Sequence, residues 1–286
     1  MQMTRYDYKM LALDMDGTLL NDNHEVSEET AKWIRRAVKE GFHVCLSTGR
    51  AAMHALPYAV ELGLETPMVT VNGSEVWKAP HELHFRALLD VDLVRKMHAL
   101  AEEFGVWFWA YTTERLYNRD HWAENLDEKE WLKFGYNTSD REVLHRILMR
   151  LQDMGGLQIT NSSLDNLEIN PAGISKASGI EKVCKLLGIT MEQVIAVGDS
   201  LNDIAAIQAV GLGVAMGNAQ DAVKEAADLV VAGNNEDGIV QVIREYMLDG
   251  AAFGEESGNA DAGAAAPKTS AKMRPEDDPS TQNVRN

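Results

Sequence analysis

The sequence predicts an α/β protein: a doubly wound parallel sheet with a smaller α+β module inserted into it. Three observations carry this expectation. Short apolar runs alternate with helical patterns at both ends of the chain, the alternation breaks in the middle, and acidic or Gly-containing turns close the runs.

Taken in order, "MLAL" before Asp14 is short and apolar throughout, as suits a strand buried on both faces. "SEETAKWIRRAVKEG" follows, with Ser27 as N-cap, a stripe of Ala31, Ile34, Ala37 and Val38, and a stop at Gly41. "HVCL" before Ser47 and "PMVTV" before Asn72 read as further strands of the same sheet. Between about Pro80 and Pro171 the rhythm changes. "LLDVDLVRKMHALAEEFG" and "EVLHRILMRLQDMG" read as amphipathic helices, while "VWFWAYTTERLYN", turning near Thr113 and Glu114, and "LQITNSSLDNLEIN" read as hairpins. The first pattern then returns. Helical "KASGIEKVCKLLG" and "NDIAAIQAVG" are expected to end on Gly188 and Gly211, and "VIAV", "GVAM" and "LVV" are the remaining strands. The expected division is core over 1–80, α+β module over 81–171 and core again over 172–249. From 250 to 286 the chain is rich in Ala, Gly, Pro and charge, and a disordered tail is expected because it offers little apolar surface to offset ordering entropy.

Composition narrows the function classes. The 286 residues are 45% hydrophobic and 25% charged, with a formal net charge of −17 and no clustering of Lys or Arg. Such a balance excludes nucleic acid and anionic membrane surfaces as main partners. With only 2 cysteines there is no disulfide framework or Cys-rich zinc site. No signal-peptide pattern or membrane-length apolar stretch is visible, so a cytoplasmic monomer or homodimer acting on a small molecule is expected.

In an open α/β sheet, ligands bind beyond the carboxyl ends of the strands, where the acidic turns stand. Asp14 and Asp16 follow one strand, and Asp199 and Asp203 follow another in "VGDSLND". If both turns share one sheet edge, the converging carboxylates need a hard divalent cation, and Mg²⁺ commonly bridges carboxylates to a substrate phosphate. "LSTGR" adds the Thr48 hydroxyl, or that of Ser47, and a Gly49 that lets backbone N–H approach an oxyanion. Lys176, at a helix start, is placed to set a point charge on the same phosphate, and Asn202 to donate from the "GDSLND" loop.

In this order "DMDGT", "STGR", "SK" and "GDSLND" resemble the four motifs of the haloacid dehalogenase (HAD) superfamily of phosphohydrolases, whose core is Rossmann-like. "VNGSEV" before the inserted module and "GVAMGNA" after the last motif are similar to the Cof-type branch, which carries a large type-B cap (class IIB). The resemblance covers roughly residues 9 to 248. It implies Asp14 as a nucleophile that forms an aspartyl-phosphate, and Asp16 as general acid and then base. It implies Mg²⁺ held by Asp14, the backbone carbonyl of Asp16, Asp199 and Asp203, the last directly or through water. Thr48, Gly49, Lys176 and Asn202 would stabilise the transferring phosphoryl group. The implied activity is that of a Mg²⁺-dependent phosphatase of a small metabolite: a phosphosugar first, a phosphorylated cofactor such as pyridoxal phosphate second. A phosphomutase using the same intermediate and a non-catalytic phosphate-accepting signalling protein are the competing readings.

Arg50 is expected to face the cap or to form a structural salt bridge. Trp107, Trp109, Trp122 and Trp131, with Phe108, Tyr111, Phe134 and Tyr136, are expected to build the cap sheet and its interface rather than to stack on a ligand.

Overall fold

A computed structural model describes residues 7–248; the expected tail lies outside them. Strand β1 (Met10–Leu13) leads through helix α1 (Glu28–Lys39) to β2 (His43–Leu46), and α2 (Ala52–Leu62) leads to β3 (Met68–Thr70), β4 (Glu75–Ala79) and β5 (Glu82–Arg86). The inserted region contains α3 (Val91–Phe104), β6 (Trp107–Thr112), β7 (Leu116–Asn118), β8 (Trp131–Asn137), α4 (Arg141–Met154), β9 (Leu157–Thr160) and β10 (Asn166–Pro171). The chain then returns through α5 (Lys176–Leu187), β11 (Val194–Gly198), α6 (Leu201–Ala209), β12 (Leu212–Ala215), α7 (Asp221–Ala226), β13 (Leu229–Val230) and α8 (Gly238–Val242).

The main sheet is parallel in the order β13-β12-β11-β1-β2. Both its faces are covered, which is why its strands read as unbroken apolar runs. Leu11 and Leu13 pack with Trp33 and Ile34 of α1 on one side, and Met10 and Ala12 pack with Ile180 and Val183 of α5 on the other. The chain leaves β1 towards β2 on one flank and later returns to β11 on the other. This switch point opens a crevice beyond the carboxyl ends of β1, β2 and β11.

Two sequence expectations are corrected. "PMVTV" is not a full member of the parallel sheet: β3 touches it through the single bridge Ser47↔Val69 and otherwise heads an antiparallel β3-β4-β5 sheet. A three-residue strand followed at once by a chain-adjacent hairpin partner finds its hydrogen bonds locally. The β4–β5 turn lies where the core was expected to give way to the inserted module. Helix α6 stops at Ala209 with Val210 extended, before Gly211.

The inserted module is an antiparallel sheet, β7-β6-β8-β10-β9, with α3 and α4 on one face. Phe108, Phe134 and Tyr136 alternate onto that face and meet Met97 and Ile147, with Trp131 in the same core. The opposite face turns to the parallel sheet's loops, and there Trp109 and Tyr111 pack with Ala51 and Val71. Both expected hairpins form, β6–β7 and β9–β10.

Candidate active site

Asp14 leaves the end of β1 with its N–H donating to the Val197 carbonyl, 3.1 Å away on the adjacent β11. Asp199 follows β11 directly, and Asp203 sits in the first turn of α6. One carboxylate oxygen from each of Asp14, Asp199 and Asp203 lies within 4.8 Å of the others. Lys176, capped into place by Ser175 at the start of α5, sends Nζ between them. It donates to Asp14 Oδ1 and to Asp203 Oδ1, each at 2.6 Å, while only 1% exposed.

The remaining bonds divide the carboxylates by task. Asp203 Oδ2 accepts the N–H groups of Asp199 and Ser200, both at 3.0 Å, so this side chain also caps its own helix. Asp199 accepts the hydroxyls of Thr18 and Ser200, each at 3.0 Å. Gly17, at φ +73°, lies so near that a Cβ there would fall 2.6 Å from Asp199 Oδ2. The glycine of "DMDGT" is therefore required twice, by its turn and by its neighbour.

Burial pushes the Asp14 carboxyl well up; Lys176 opposes this, and Asp203 and Asp199 add to it. Burial, then Asp203, raises Asp199 to about 6. Burial depresses Lys176, but Asp14 and Asp203 outweigh it and hold the ammonium charged. With all three carboxylates ionised, one ammonium would leave two negative charges uncompensated in a buried pocket, which is why Asp14 and Asp199 are pushed up. An all-oxygen donor set with that excess fits a hard divalent cation.

Asp16 stands apart from this cluster. Its carboxylate accepts from Arg50 at 2.8 and 2.5 Å, a paired geometry, and His24 Nδ1 lies 3.8 Å away. Burial pushes its pKa up, but the hydrogen bonds from Arg50 and then His24 more than reverse this and hold it well below the usual carboxylate range. Of the two expectations for Arg50, the salt bridge forms.

Thr48 is buried, and its Oγ1 accepts the Arg50 N–H at 3.1 Å. The Ser47 hydroxyl is also buried, with no partner among the described residues, and lines a small cavity with Asp14 and Lys176. Gly49 meets the inserted sheet directly, for its carbonyl accepts from Lys133 Nζ at 2.7 Å. Asn202 donates to Asn72 Oδ1 at 3.3 Å. Asn72 in turn donates to Glu168 Oε2 at 2.5 Å, and Lys133 lies 3.2 Å from the same oxygen.

This chain of buried polar groups escaped the sequence reading. Its signals were a charged residue inside each of two apolar strands, "WLKFGYN" and "NLEINP", and the "VNG" turn. Val71 and Asn72 in that turn adopt φ of +51° and +56°. Such a conformation is unusual for a β-branched residue and persists only when its surroundings enforce it. Here the Arg50 carbonyl takes the Val71 N–H at 2.9 Å, and Asn170 donates to the Val71 carbonyl at 2.9 Å.

Comparison with known proteins identifies the family. The family model for haloacid dehalogenase-like hydrolases matches residues 11–145 and 118–243. The 5-amino-6-(5-phospho-D-ribitylamino)uracil phosphatase of Bacillus subtilis is 46% identical over 242 residues, covering 85% of this chain and 97% of that protein. A haloacid dehalogenase-like hydrolase structure from B. subtilis superposes with a TM-score of 0.77 at 25% identity, covering 82% of this chain and 99% of the other. A HAD subclass IIB sugar phosphatase shares the fold, inserted cap included, with a TM-score of 0.75 at 24% identity over 83% and 98% of the two chains. The chain thus belongs to the haloacid dehalogenase-like hydrolases, in the Cof-type branch with a type-B cap, and is a phosphoric monoester hydrolase.

Proposed function

We propose that the protein is a Mg²⁺-dependent phosphatase of a small phosphorylated metabolite, working through a phosphoryl group held covalently on Asp14. The observation that carries this is the convergence of Asp14, Asp199 and Asp203 around Lys176 at the switch point of the sheet. Asp14 attacks phosphorus in line, and water later releases phosphate from the carboxylate. Asp14 and Asp199 would hold the cation directly, with the carbonyl of Asp16. Asp203, which accepts Lys176 at one oxygen and two backbone N–H groups at the other, would hold the cation directly or through water. When bound, Mg²⁺ supplies the positive charge that offsets repulsion between the nucleophile and the phosphate.

Lys176, the Thr48 hydroxyl, the backbone at Gly49 and Asn202 hold the equatorial oxygens. Asp16 delivers a proton to the leaving oxygen and later takes one from water. In its present pairing Arg50 favours the ionised form, so the donor role requires that pair to loosen. An incoming phosphate is an anion that competes for Arg50 directly.

The 46% identical relative acts on a phosphorylated ribitylaminouracil, which makes that compound the first substrate to assay. Phosphate release from a panel of phosphorylated metabolites, with Mg²⁺ and with chelator, tests the reading. Asp14→Asn should lose roughly a thousandfold or more of kcat while keeping its fold. Full turnover in that variant would remove Asp14 as nucleophile, and an isomerised sugar phosphate in place of free phosphate would indicate a mutase.

A further inference from the structure

The seam between cap and core has one joint that borders the acidic cluster itself. The turn of the β9–β10 hairpin is folded by its own side chains. Asn166 Oδ1 accepts the N–H groups of Ser162 and Ser163 at 3.0 and 3.1 Å, and the Ser162 hydroxyl donates to Glu168 Oε1 at 3.0 Å. Held in this shape, the turn presents two consecutive carbonyls to the loop that carries Asp199. The Asn161 carbonyl accepts the Asn202 N–H at 3.2 Å, and the Ser162 carbonyl accepts the Ser200 hydroxyl at 3.1 Å.

Ser200 faces a second acceptor at almost the same distance, since Asp199 Oδ2 lies 3.0 Å from the same hydroxyl. A serine hydroxyl has one hydrogen to give, so the cap carbonyl and the carboxylate compete for it. Distance does not separate the two acceptors, and Ser200 is buried, so bulk water is not at hand to serve the loser. Charge decides. A hydrogen bond to an ionised carboxylate is roughly twice as strong as one to a neutral carbonyl, so a bare Asp199 takes the hydrogen. With a cation on Asp199 that advantage is withdrawn. Rotation about the Ser200 Cβ–Oγ bond then hands the hydrogen to the Ser162 carbonyl, with no change in backbone. Thr18 supplies the contrast: its hydroxyl donates to Asp199 Oδ1 at 3.0 Å from within the core and makes no bridge to the cap among the described residues.

We propose that Ser200 is a positioning residue that relays cation occupancy at Asp199 to the seating of the β9–β10 hairpin. The proposal rests on Asp199 holding the cation, as in the reading above, and adds a consequence for the cap. The metal-loaded protein keeps its hairpin docked, and the metal-free one lets it open more often. Coupling of this kind is reciprocal, so a docked hairpin favours the cation by the same factor.

Hydrogen–deuterium exchange over residues 160–166, with and without Mg²⁺ and with no phosphate ester present, tests the relay. Calorimetry of Mg²⁺ binding runs beside it. Saturating Mg²⁺ should slow exchange in the wild-type turn about fivefold, the worth of one hydrogen bond. Ser200→Ala, which removes only the hydroxyl, should still bind Mg²⁺ and lose the slowing. Thr18→Val should keep the slowing, because its hydroxyl serves Asp199 alone. Three results would overturn the relay and leave the phosphatase reading standing: Mg²⁺ binding without slowing in the wild type, slowing that survives Ser200→Ala, or slowing that Thr18→Val abolishes. The wild-type and Thr18→Val measurements decide the matter even where Ser200→Ala fails to fold. Calorimetry that detects no Mg²⁺ binding to the wild type would overturn both the relay and the Mg²⁺-dependent reading.

Discussion

Asp199 is the side chain on which the cation's contribution is most directly measured. Its pKa is raised to about 6 because burial and Asp203 both oppose its charge, and a divalent ion relieves both at once. Mg²⁺ at about 100 times its Kd should stabilise the fold by ~2.7 kcal/mol, seen as a rise in Tm that a chelator reverses. Asp199→Ala should abolish that rise, because it removes a ligand without touching the Asp14–Lys176 contact. A full Mg²⁺-dependent shift in the variant would move the cation elsewhere. These acidic residues were legible in the sequence because each follows an apolar run by one or a few residues. Lys133 and Glu168 were not. A lone charge within a strand gives no sign whether it faces solvent or a charge on the neighbouring strand beneath another domain.

At the scale of elements, the cap sheet depends on one small residue in β8. Gly135 lies opposite Trp109, and a Cβ built on it would fall 2.3 Å from the indole Cζ2. The ring lies flat where a side chain would stand, which lets Trp109 share a layer with Val71 and Leu132. Gly135→Ala should force the indole aside and destabilise the protein by roughly 1–3 kcal/mol in urea unfolding. An unchanged midpoint would mean that the ring has other places to go. The aromatic alternation of β6 was readable as a strand pattern and built the sheet and interface as expected. Which aromatic meets the helices and which meets the seam depends on pairing register, and a single strand does not carry that information.

At the scale of the whole molecule, the buried Lys133–Glu168 pair joins cap to core. Lys133→Met alone should cost about 3–5 kcal/mol, since it strands a buried carboxylate. The Lys133→Met/Glu168→Leu double variant should recover most of that in chemical denaturation; a double variant as unstable as the single one would show that the charges themselves hold the seam. The same pair sets an acid limit. Burial raises the Glu168 pKa, but Lys133, together with bonds from Asn72 and Ser162, more than reverses this and holds it below its ordinary 4.5. A carboxyl depressed on folding stabilises above its unfolded pKa and loses that contribution as pH falls through the folded one. Wild-type Tm should therefore fall below pH 4.5 more steeply than that of the double variant.

The sequence by itself determined the parallel sheet, the inserted cap and the acidic residues at the strand ends. Apolar runs buried on both faces, helix caps and motif spacing are local properties, and a strand end is a place that chain order specifies. Only the tertiary structure decided that Arg50 holds Asp16, and that Lys133 and Glu168 meet Gly49 and Asn72. Those contacts join residues 34 to 96 positions apart; the first depends on two strands lying side by side, and the others on how two sheets are docked. The physical reason is that a charge finds its partner through the packing of whole elements, which no stretch of neighbouring residues encodes.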